Sequence, residues 1–462
     1  MMDRFDCVSP LDFRYYTPNE RLRGLLDDYV TERARMRSEA MVEAAVVRVL
    51  ARMGICSDEV ADEVARAAEV VTPEEVAEEE ERIHHNIRAL VNCMKRHVSD
   101  AAKPYIHFTL TSFDVIDTAT AWRFKNAALQ GLLPLLEELE RVLIDLARRE
   151  AETLQIGRTH GQHGEPITFG FAVAEYVSRL GGRIEAIREA ANNLRGKISG
   201  AVGAYNASSL MIDDPEQFEQ EVLAELGLEP SPISTQVVEA EFVTDFMHAL
   251  ISCFSVLANL ADDMRHLQRT EIDEVAEAFE AEQVGSSTMP HKRNPWNFEN
   301  VKSMWKQFMP RMITVYSDQI SEHQRDLSNS ASQRFLPEII VGLANSVARL
   351  TRIMGRLVTD SERMRENLAM TEGMIGAEPA YILLAAHGHP DAHEAVRRLT
   401  LQAQETGRPL GELLQESEEL AQYWARLTDR QREIILHPSQ YTGIAAQKTR
   451  AICDMWEERL GV

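Results

Sequence analysis

Residues 285–295 bring hydroxyl, basic and amide side chains together in a segment that cannot form a regular helix. Pro290 and Pro295 each lack an N–H group and restrict the residue that precedes them. Gly285 permits backbone angles that other residues avoid. The pattern therefore predicts a polar loop between helices, a common way to present catalytic side chains. The alternative is a surface linker made of turn-forming residues.

Further polar residues cluster where a helix begins or the chain turns, in the segments 106–114, 157–166, 197–207 and 324–334. His160 and His163 belong to one of these clusters and lie among glycines directly before an apolar-striped helix. We interpret them as a candidate site. An ordinary surface location and a metal site are the alternatives, and the metal site is weak because no set of Cys or carboxylate ligands lies nearby.

Segment 324–334 combines arginines with a hydroxyl residue, namely Arg325, Ser330 and Arg334. This combination suits recognition of a phosphate or carboxylate, with a surface ion-pair network as the alternative. Ser112 or Asp114 could cap a helix, and capping is compatible with anion binding because a helix N-terminus attracts negative charge. For segment 197–207 the alternative to a binding role is a tight backbone turn.

Apolar residues recur at spacings of three and four, the period of one helix face, in the segments 129–146, 177–194, 246–267 and 343–357. Each stripe must pack against other helices, so the set predicts a long helical bundle. Pro134 and Pro310 are expected to kink their helices. Thr72 and Glu75 have the spacing of a capping box at a further helix start.

The fold class that follows is mainly α, with a long central helical bundle flanked by smaller N- and C-terminal helical domains. The chain has 462 residues, more than one ordinary core accommodates. The expected domains are 1–111, 112–362 and 363–462. Alternating strand patterns are scarce, and the 6% of aromatic residues is low for an all-β protein.

Composition restricts the possible partners. The net charge of −24 argues against broad binding to nucleic acid or an anionic membrane, so a site for an anionic substrate must gather basic residues locally. The five cysteines are scattered without metal-ligand spacing, which predicts a reduced, cytoplasmic setting. The N-terminus has no apolar signal region, and the longest apolar stretch, 249–261, is too short to span a bilayer.

The loop at 285–295 fits the pattern Gly-Ser-Ser-x-Met-Pro-x-Lys-x-Asn. It thereby resembles the signature of the fumarase/aspartase superfamily, whose members cleave a C–N or C–O bond by β-elimination and release fumarate or a related acid. The segments at 9–15, 111–118, 157–162 and 200–207 narrow the resemblance to the adenylosuccinate lyase family, over nearly the whole chain.

This resemblance implies catalytic roles for three residues. Ser286 would be the general base that removes the proton next to a carboxylate. His160 would be the general acid that protonates the departing purine nitrogen, assisted by His107. The implied substrate-binding residues are Arg14, Tyr15, Thr111, Ser112, Gln236, Lys292, Asn294, Arg325, Ser330 and Arg334.

The implied reaction is the elimination of fumarate from adenylosuccinate, which gives AMP, and from the succinylated aminoimidazole carboxamide ribotide. The resemblance implies a small-molecule substrate, a homotetramer with shared active sites, and neither a metal nor an organic cofactor. The alternatives are a superfamily lyase acting on a different succinyl adduct, a carboxymuconate cycloisomerase-like enzyme, and a non-catalytic helical oligomer.

Three positions depart from the family pattern. Thr109 occupies a position that usually lacks a side chain, and Asn86 follows His85 where aspartate is common. The run after Gln236 lacks an arginine present in several relatives. These departures concern nucleotide contacts and leave the residues of the elimination step in place.

Overall fold

The computed structural model describes residues 7–279, 288–289, 291–325 and 327–462. Within these residues the protein is mainly α-helical, which confirms the predicted fold class. A π-helical turn, Leu11–Tyr16, precedes the N-terminal helices α1 (Glu20–Val30), α2 (Glu32–Arg52), α3 (Asp58–Val70), α4 (Pro73–Ile83), α5 (Asn86–Arg96) and α6 (Ser112–Asn126). The predicted capping box is present at the start of α4, where the Thr72 and Glu75 side chains bond each other's backbone N–H groups.

The central helices are α7 (Leu133–Arg149), α8 (Phe169–Asn192), α9 (Pro215–Glu225), α10 (Glu241–Leu267), α11 (Trp296–Phe308), α12 (Arg311–Ser317) and α13 (Pro337–Met354). They carry the predicted apolar stripes. On α8, Val177, Leu180 and Ile184 are fully buried, as expected of residues on one helix face that packs against other helices.

Both expected kinks coincide with helix boundaries. A π-helical turn, Ala127–Leu132, runs directly into α7, in which Pro134 is the second residue. Pro310 separates α11 from α12 and lies at the N-cap of α12. Pro310 is tolerated at an N-cap because the first N–H groups of a helix have no acceptor within it.

Shorter helices follow α13, namely α14 (Ser361–Ala369), α15 (Glu372–Ile375), α16 (Ala377–Ala386), α17 (Ala392–Thr406), α18 (Leu410–Glu416), α19 (Ala421–Trp424), α20 (Asp429–Leu436) and α21 (Ala445–Leu460). Helices α16 to α20 enclose an apolar core that includes Leu384, Leu410 and Ile435.

The described strands are β1 (Leu154–Thr159), β2 (Gln162–Thr168), β3 (Arg195–Gly196), β4 (Glu229–Pro230), β5 (Val275–Ala276) and β6 (Val358–Thr359). They form two-stranded sheets, β1 with β2 and β5 with β6 antiparallel, and β3 with β4 parallel. The β1–β2 hairpin is the longest of these, and the sequence patterns did not indicate it.

The chain divides into two compact units. The first unit comprises the chain up to Glu137 together with Gly182–Ala258 and Val301–Ala348, and the second comprises Glu138–Gly181, Asn259–Asn300 and Arg349–Val462. The boundaries expected from the sequence at 111 and 362 remain a prediction.

Helix α10 is the one described helix that is long and apolar enough to cross a membrane. Two-thirds of its apolar window, 67%, is buried inside the protein, which is the behaviour of a core helix.

Candidate active site

A cavity of about 1290 Å³ lies in the first unit. Six of the predicted binding residues line it, namely Thr111, Ser112, Gln236, Arg325, Ser330 and Arg334. Segments that are distant in sequence thus converge on one space. The N–H of Gln236 donates to the carbonyl of Gln324 at 3.4 Å, which places Gln236 beside the arginine segment.

Arg325 is the most distinctive group in this cavity. Its guanidinium lies 4.2 Å from the centroid of the Phe113 ring, a cation–π contact that holds it in place. Its Nε and Nη2 atoms are buried and have no hydrogen-bond partner among the described residues. A planar cation with unused donors is suited to a phosphate or carboxylate, which it can bind through two parallel hydrogen bonds.

Asp114 holds the first turn of α6 to the chain after α8. Its carboxylate accepts the N–H of Thr111 at 2.7 Å and the N–H groups of Ser199 and Gly200 at 3.1 Å each. It also pairs with Lys197, and both side chains are fully buried. A buried ion pair is stable only when further hydrogen bonds satisfy it, and these backbone donors do so.

Asp117 lies one helical turn after Asp114 and holds a second loop of the cavity. Its carboxylate accepts the N–H of Val238 at 2.9 Å. Burial raises the pKa of Asp117 to about 6, against the lowering effects of this hydrogen bond and of the Lys197 charge. Asp114 and Asp117 together fix the loops that border Ser112 and Gln236.

Gly203 is required where these two loops meet. Its φ is +76°, and a Cβ atom there would lie 2.0 Å from the carbonyl oxygen of Ser234. Only glycine fits such a close backbone approach. Beside it, the hydroxyl groups of Ser199 and Ser234 are 2.6 Å apart and hydrogen-bonded.

The remaining predicted residues of the first unit lie outside the lining of this cavity. Arg14 is exposed and Tyr15 is half-buried on the π-helical turn, whose Leu11, Asp12 and Tyr16 are the ones that line the cavity. His107 precedes α6 and is 21% exposed.

In the second unit, His160 occupies the tip of the β1–β2 hairpin. Thr159 pairs with Gln162, which leaves His160 and Gly161 as a two-residue turn. Their φ angles are +55° and +75°, and positive values at both positions are what a type I′ turn requires. The His160 side chain is exposed at this tip, and a register shift at Gly157 adds a bulge below it.

Glu274 anchors the base of the hairpin and is fully buried. Its carboxylate accepts hydrogen bonds from Arg158 at 2.6 and 3.2 Å, from Gln155 at 2.8 Å and from Asn367 of α14 at 2.9 Å. Ile156 of β1 packs in a small apolar core with Leu368. The strand that leads to His160 is therefore held by charge and by packing.

Lys292 and Asn294 also belong to the second unit. Lys292 is exposed, and its N–H donates to Met289 at 3.0 Å. The segment continues into α11, where the buried Glu277 accepts the N–H groups of Asn297 and Phe298 at 3.0 Å each. Ser286 lies outside the described residues, so its role stays a prediction.

Sequence reasoning missed the carboxylates that position these groups, Asp117, Glu274 and Glu43, the last of which contacts His107. A signal existed for Asp117, since it lies three residues after Asp114 and therefore on the same helix face. No group of His, Cys, Asp and Glu among the described residues could hold a metal ion.

Family models cover most of the chain. One described as "Lyase" matches residues 13–309, and one described as "Adenylosuccinate lyase C-terminal" matches residues 321–442. Among solved structures, the chain is similar to a fumarate lyase from Mesorhizobium sp. BNC1, with a TM-score of 0.81, 24% identity and coverage of 94% of this chain and 98% of the other. It is also similar to a 3-carboxy-cis,cis-muconate lactonizing enzyme from Pseudomonas putida, with a TM-score of 0.82, 24% identity and coverage of 96% and 100%. At this identity the two structures establish the fold.

Curated relatives named adenylosuccinate lyase show which family the chain belongs to. The protein from Pyrococcus horikoshii is 35% identical over 98% of this chain and 98% of its own length. Those from Archaeoglobus fulgidus and Bacillus subtilis are 33% and 31% identical over 96% and 84% of this chain, and over 98% and 89% of their own lengths. With two family models and these relatives matching almost end to end, the chain belongs to the adenylosuccinate lyase family.

Proposed function

We propose that this protein is a carbon–nitrogen lyase that eliminates fumarate from adenylosuccinate, giving AMP, and from the succinylated aminoimidazole carboxamide ribotide. The observation that carries the proposal is the Arg325 guanidinium, held on Phe113 inside a large cavity with two buried nitrogens free of hydrogen-bond partners among the described residues. Both substrates carry a phosphate, and a buried guanidinium is a strong phosphate ligand.

Other residues of the cavity support a phosphate at this end. Ser112 lies in the first turn of α6, where N–H groups lack helical acceptors and the helix dipole favours an anion. Ser330 and Arg334 line the same space. The chain carries a net charge of −24, so this local group of donors and cations is what allows an anionic nucleotide to bind.

The elimination breaks one C–H bond and one C–N bond. In the proposed step, Ser286 takes the proton from the carbon next to a succinyl carboxylate, and His160 gives a proton to the departing nitrogen. The electron pair of the broken C–H bond becomes the double bond of fumarate. Negative charge develops on the carboxylate in the transition state, and fixed cations and amide groups such as Lys292 and Asn294 would stabilise it.

We also propose that the protein is a cytoplasmic homotetramer whose active sites are completed by neighbouring subunits. An apolar stripe along α12 and its two flanks supports association, because Met309, Ile313, Tyr316 and Ile320 recur at helical spacing and are exposed, Ile320 by 79%. The five cysteines are present as thiols, which supports a reducing compartment. Sedimentation at equilibrium would test the tetramer directly.

Fumarate release from adenylosuccinate, followed by absorbance, tests the proposed activity. We expect turnover by the natural protein and its loss in Ser286→Ala, with the oligomer still folded. The neighbouring Ser287→Ala is the matched control and should keep most of the activity. Release of fumarate from a different succinyl adduct, with none from adenylosuccinate, would replace the proposed substrate. Near-normal rates in Ser286→Ala would refute its role as the base.

A further inference from the structure

Glu43 of α2 clamps His107 by two hydrogen bonds. One carboxylate oxygen accepts the backbone N–H of His107 at 2.8 Å, and the other lies 2.7 Å from Nδ1 of the ring. Glu43 is fully buried, whereas the His107 side chain is 21% exposed. A buried carboxylate therefore holds the Nδ1 edge of an imidazole that is itself partly exposed.

We propose that Glu43 is a positioning residue that fixes the tautomer and orientation of His107 for the elimination step; this inference rests on the proposed function. A carboxylate accepts hydrogen bonds and donates none, so Nδ1 must carry the proton. Neutral His107 then presents Nε2 as an acceptor, and the imidazolium presents Nε2–H as a donor. In both forms the ring can pass a proton at Nε2 while Glu43 holds Nδ1–H in place.

The backbone around His107 explains why such a clamp is needed. His107 has a φ of +66° and Thr109 a φ of +64°, and the left-handed region is unfavourable for residues other than glycine. A segment with such strained backbone angles persists only when contacts with the surrounding structure hold it in place. Glu43 binds both the backbone and the ring of His107, so one side chain sets the chain direction and the direction of the imidazole.

The surroundings of the pair make the assignment specific. Lys95 of α5 is the cation whose charge interacts with Glu43, whereas no described ion pair other than that with His107 involves this carboxylate. One turn earlier on α2, Glu39 is also buried but bonds Arg35 at 2.8 Å. Two buried glutamates on one helix therefore have different partners, and only Glu43 faces a histidine.

Glu43→Gln is the discriminating substitution because it keeps the shape of the side chain and replaces one acceptor by a donor. An amide N–H opposite Nδ1 forces the ring proton onto Nε2, the wrong tautomer. We expect kcat to fall about 100-fold, the size of a lost acid–base contribution, while KM changes less than about three-fold because ground-state binding is retained. Glu43→Asp keeps the charge and should recover an intermediate kcat.

A double-mutant cycle with His107→Gln separates positioning from general structural support. If Glu43 acts through His107, the double variant should be no slower than His107→Gln alone, within about two-fold. If the double variant instead lowers kcat by the product of the two single effects, the proposal is overturned. Glu79→Gln is the matched control, since Glu79 is buried and bonds Arg82 of its own helix and Arg96 of α5. It should change kcat by less than about two-fold.

A second measurement is independent of activity. Diethyl pyrocarbonate modifies the unprotonated ring nitrogen of histidine, and peptide mass spectrometry follows the reaction at His107. We expect slower modification in Glu43→Gln than in the natural protein, because Nε2 then carries the proton. Equal modification rates would overturn the assigned tautomer. If the natural protein releases no fumarate from adenylosuccinate, the proposed function fails, and the modification rates still report whether Glu43 sets the tautomer.

Discussion

Removing the carboxylate of Glu274 should destabilise the second unit and impair turnover together. In Glu274→Ala the guanidinium of Arg158, 17% exposed, loses both of its hydrogen bonds to a carboxylate. Breaking a buried ion pair from one side costs about 3–5 kcal/mol. Gln155 and Asn367 also lose an acceptor, and each unsatisfied donor adds about 1–3 kcal/mol before water enters the space. We therefore expect a loss of roughly 5 kcal/mol in the free energy of unfolding.

The functional effect should follow from the position of the hairpin. Arg158 lies two residues before His160 on the strand that leads to the turn, so a loosened Arg158 lets the turn move. A displacement of about 1 Å at a reacting group costs about 100-fold in rate. We expect kcat for fumarate release to fall by about this factor under conditions where the variant is folded.

Urea unfolding followed by circular dichroism, at a fixed protein concentration, measures the first effect, and steady-state kinetics measures the second. Glu394→Ala is the control, because Glu394 forms an exposed pair with Arg397 at 2.7 Å and its removal should cost less than about 0.5 kcal/mol. A loss of stability below about 1 kcal/mol in Glu274→Ala would show that the hairpin does not depend on this carboxylate, and the reasoning would fail.

Two further predictions concern buried groups that lack partners among the described residues. Thr109 has a φ of +64° and a buried hydroxyl without a hydrogen bond, so Thr109→Gly should raise the free energy of unfolding by roughly 1 kcal/mol, after the greater entropy of unfolded glycine is subtracted. A lower urea midpoint than that of the natural protein would contradict this. Glu140 is fully buried with both oxygens unpaired, and burial raises its pKa from 4.5 to about 9. Between these pH values the unfolded chain releases a proton that the folded protein keeps, so the free energy of unfolding falls as pH rises, by about 1.4 kcal/mol per pH unit for this group. Glu140→Met should flatten this fall in stability between pH 6 and 8.5. An unchanged slope in the variant would refute the raised pKa of Glu140.

The helical architecture was predictable because it is encoded locally. Apolar residues at spacings of three and four marked α8 and α10 directly, and the capping-box residues Thr72 and Glu75 marked the start of α4. Each of these signals lies within one or two turns of chain. The fold class follows from their sum, since long one-sided stripes have to pack against one another.

The hairpin that carries His160 was not predictable in the same way. Segment 154–168 contains glycines and a proline and has no clean alternation of apolar and polar residues, and His-Gly is a less frequent turn pair than Asn-Gly. The carboxylate that binds its Arg158 belongs to Glu274, which is 116 residues away in sequence. Periodicity carries no information about such a distant partner.

The residue types of the candidate site came from the family resemblance, and the sequence indicated only part of the geometry. Family resemblance assigned Arg325, Ser330 and Gln236 to substrate, and the structure brings all three to one cavity. The resemblance did not indicate that Asp117 holds the Gln236 loop by accepting the N–H of Val238. From sequence alone, a carboxylate on a helix face is equally consistent with exposure to solvent.

A common arrangement connects the two histidines that the resemblance assigns to catalysis. Each has a positive φ, +66° at His107 and +55° at His160, and each depends on a buried glutamate, Glu43 by direct contact and Glu274 through Arg158. A left-handed residue costs about 1–2 kcal/mol, and a fully bonded buried carboxylate is rigid because moving it would leave several donors unsatisfied. The two glutamates can thus hold each imidazole in an orientation that requires an unfavourable backbone conformation. It follows that losing either glutamate should lower kcat more than it raises KM, since neither of them lines the cavity of the first unit.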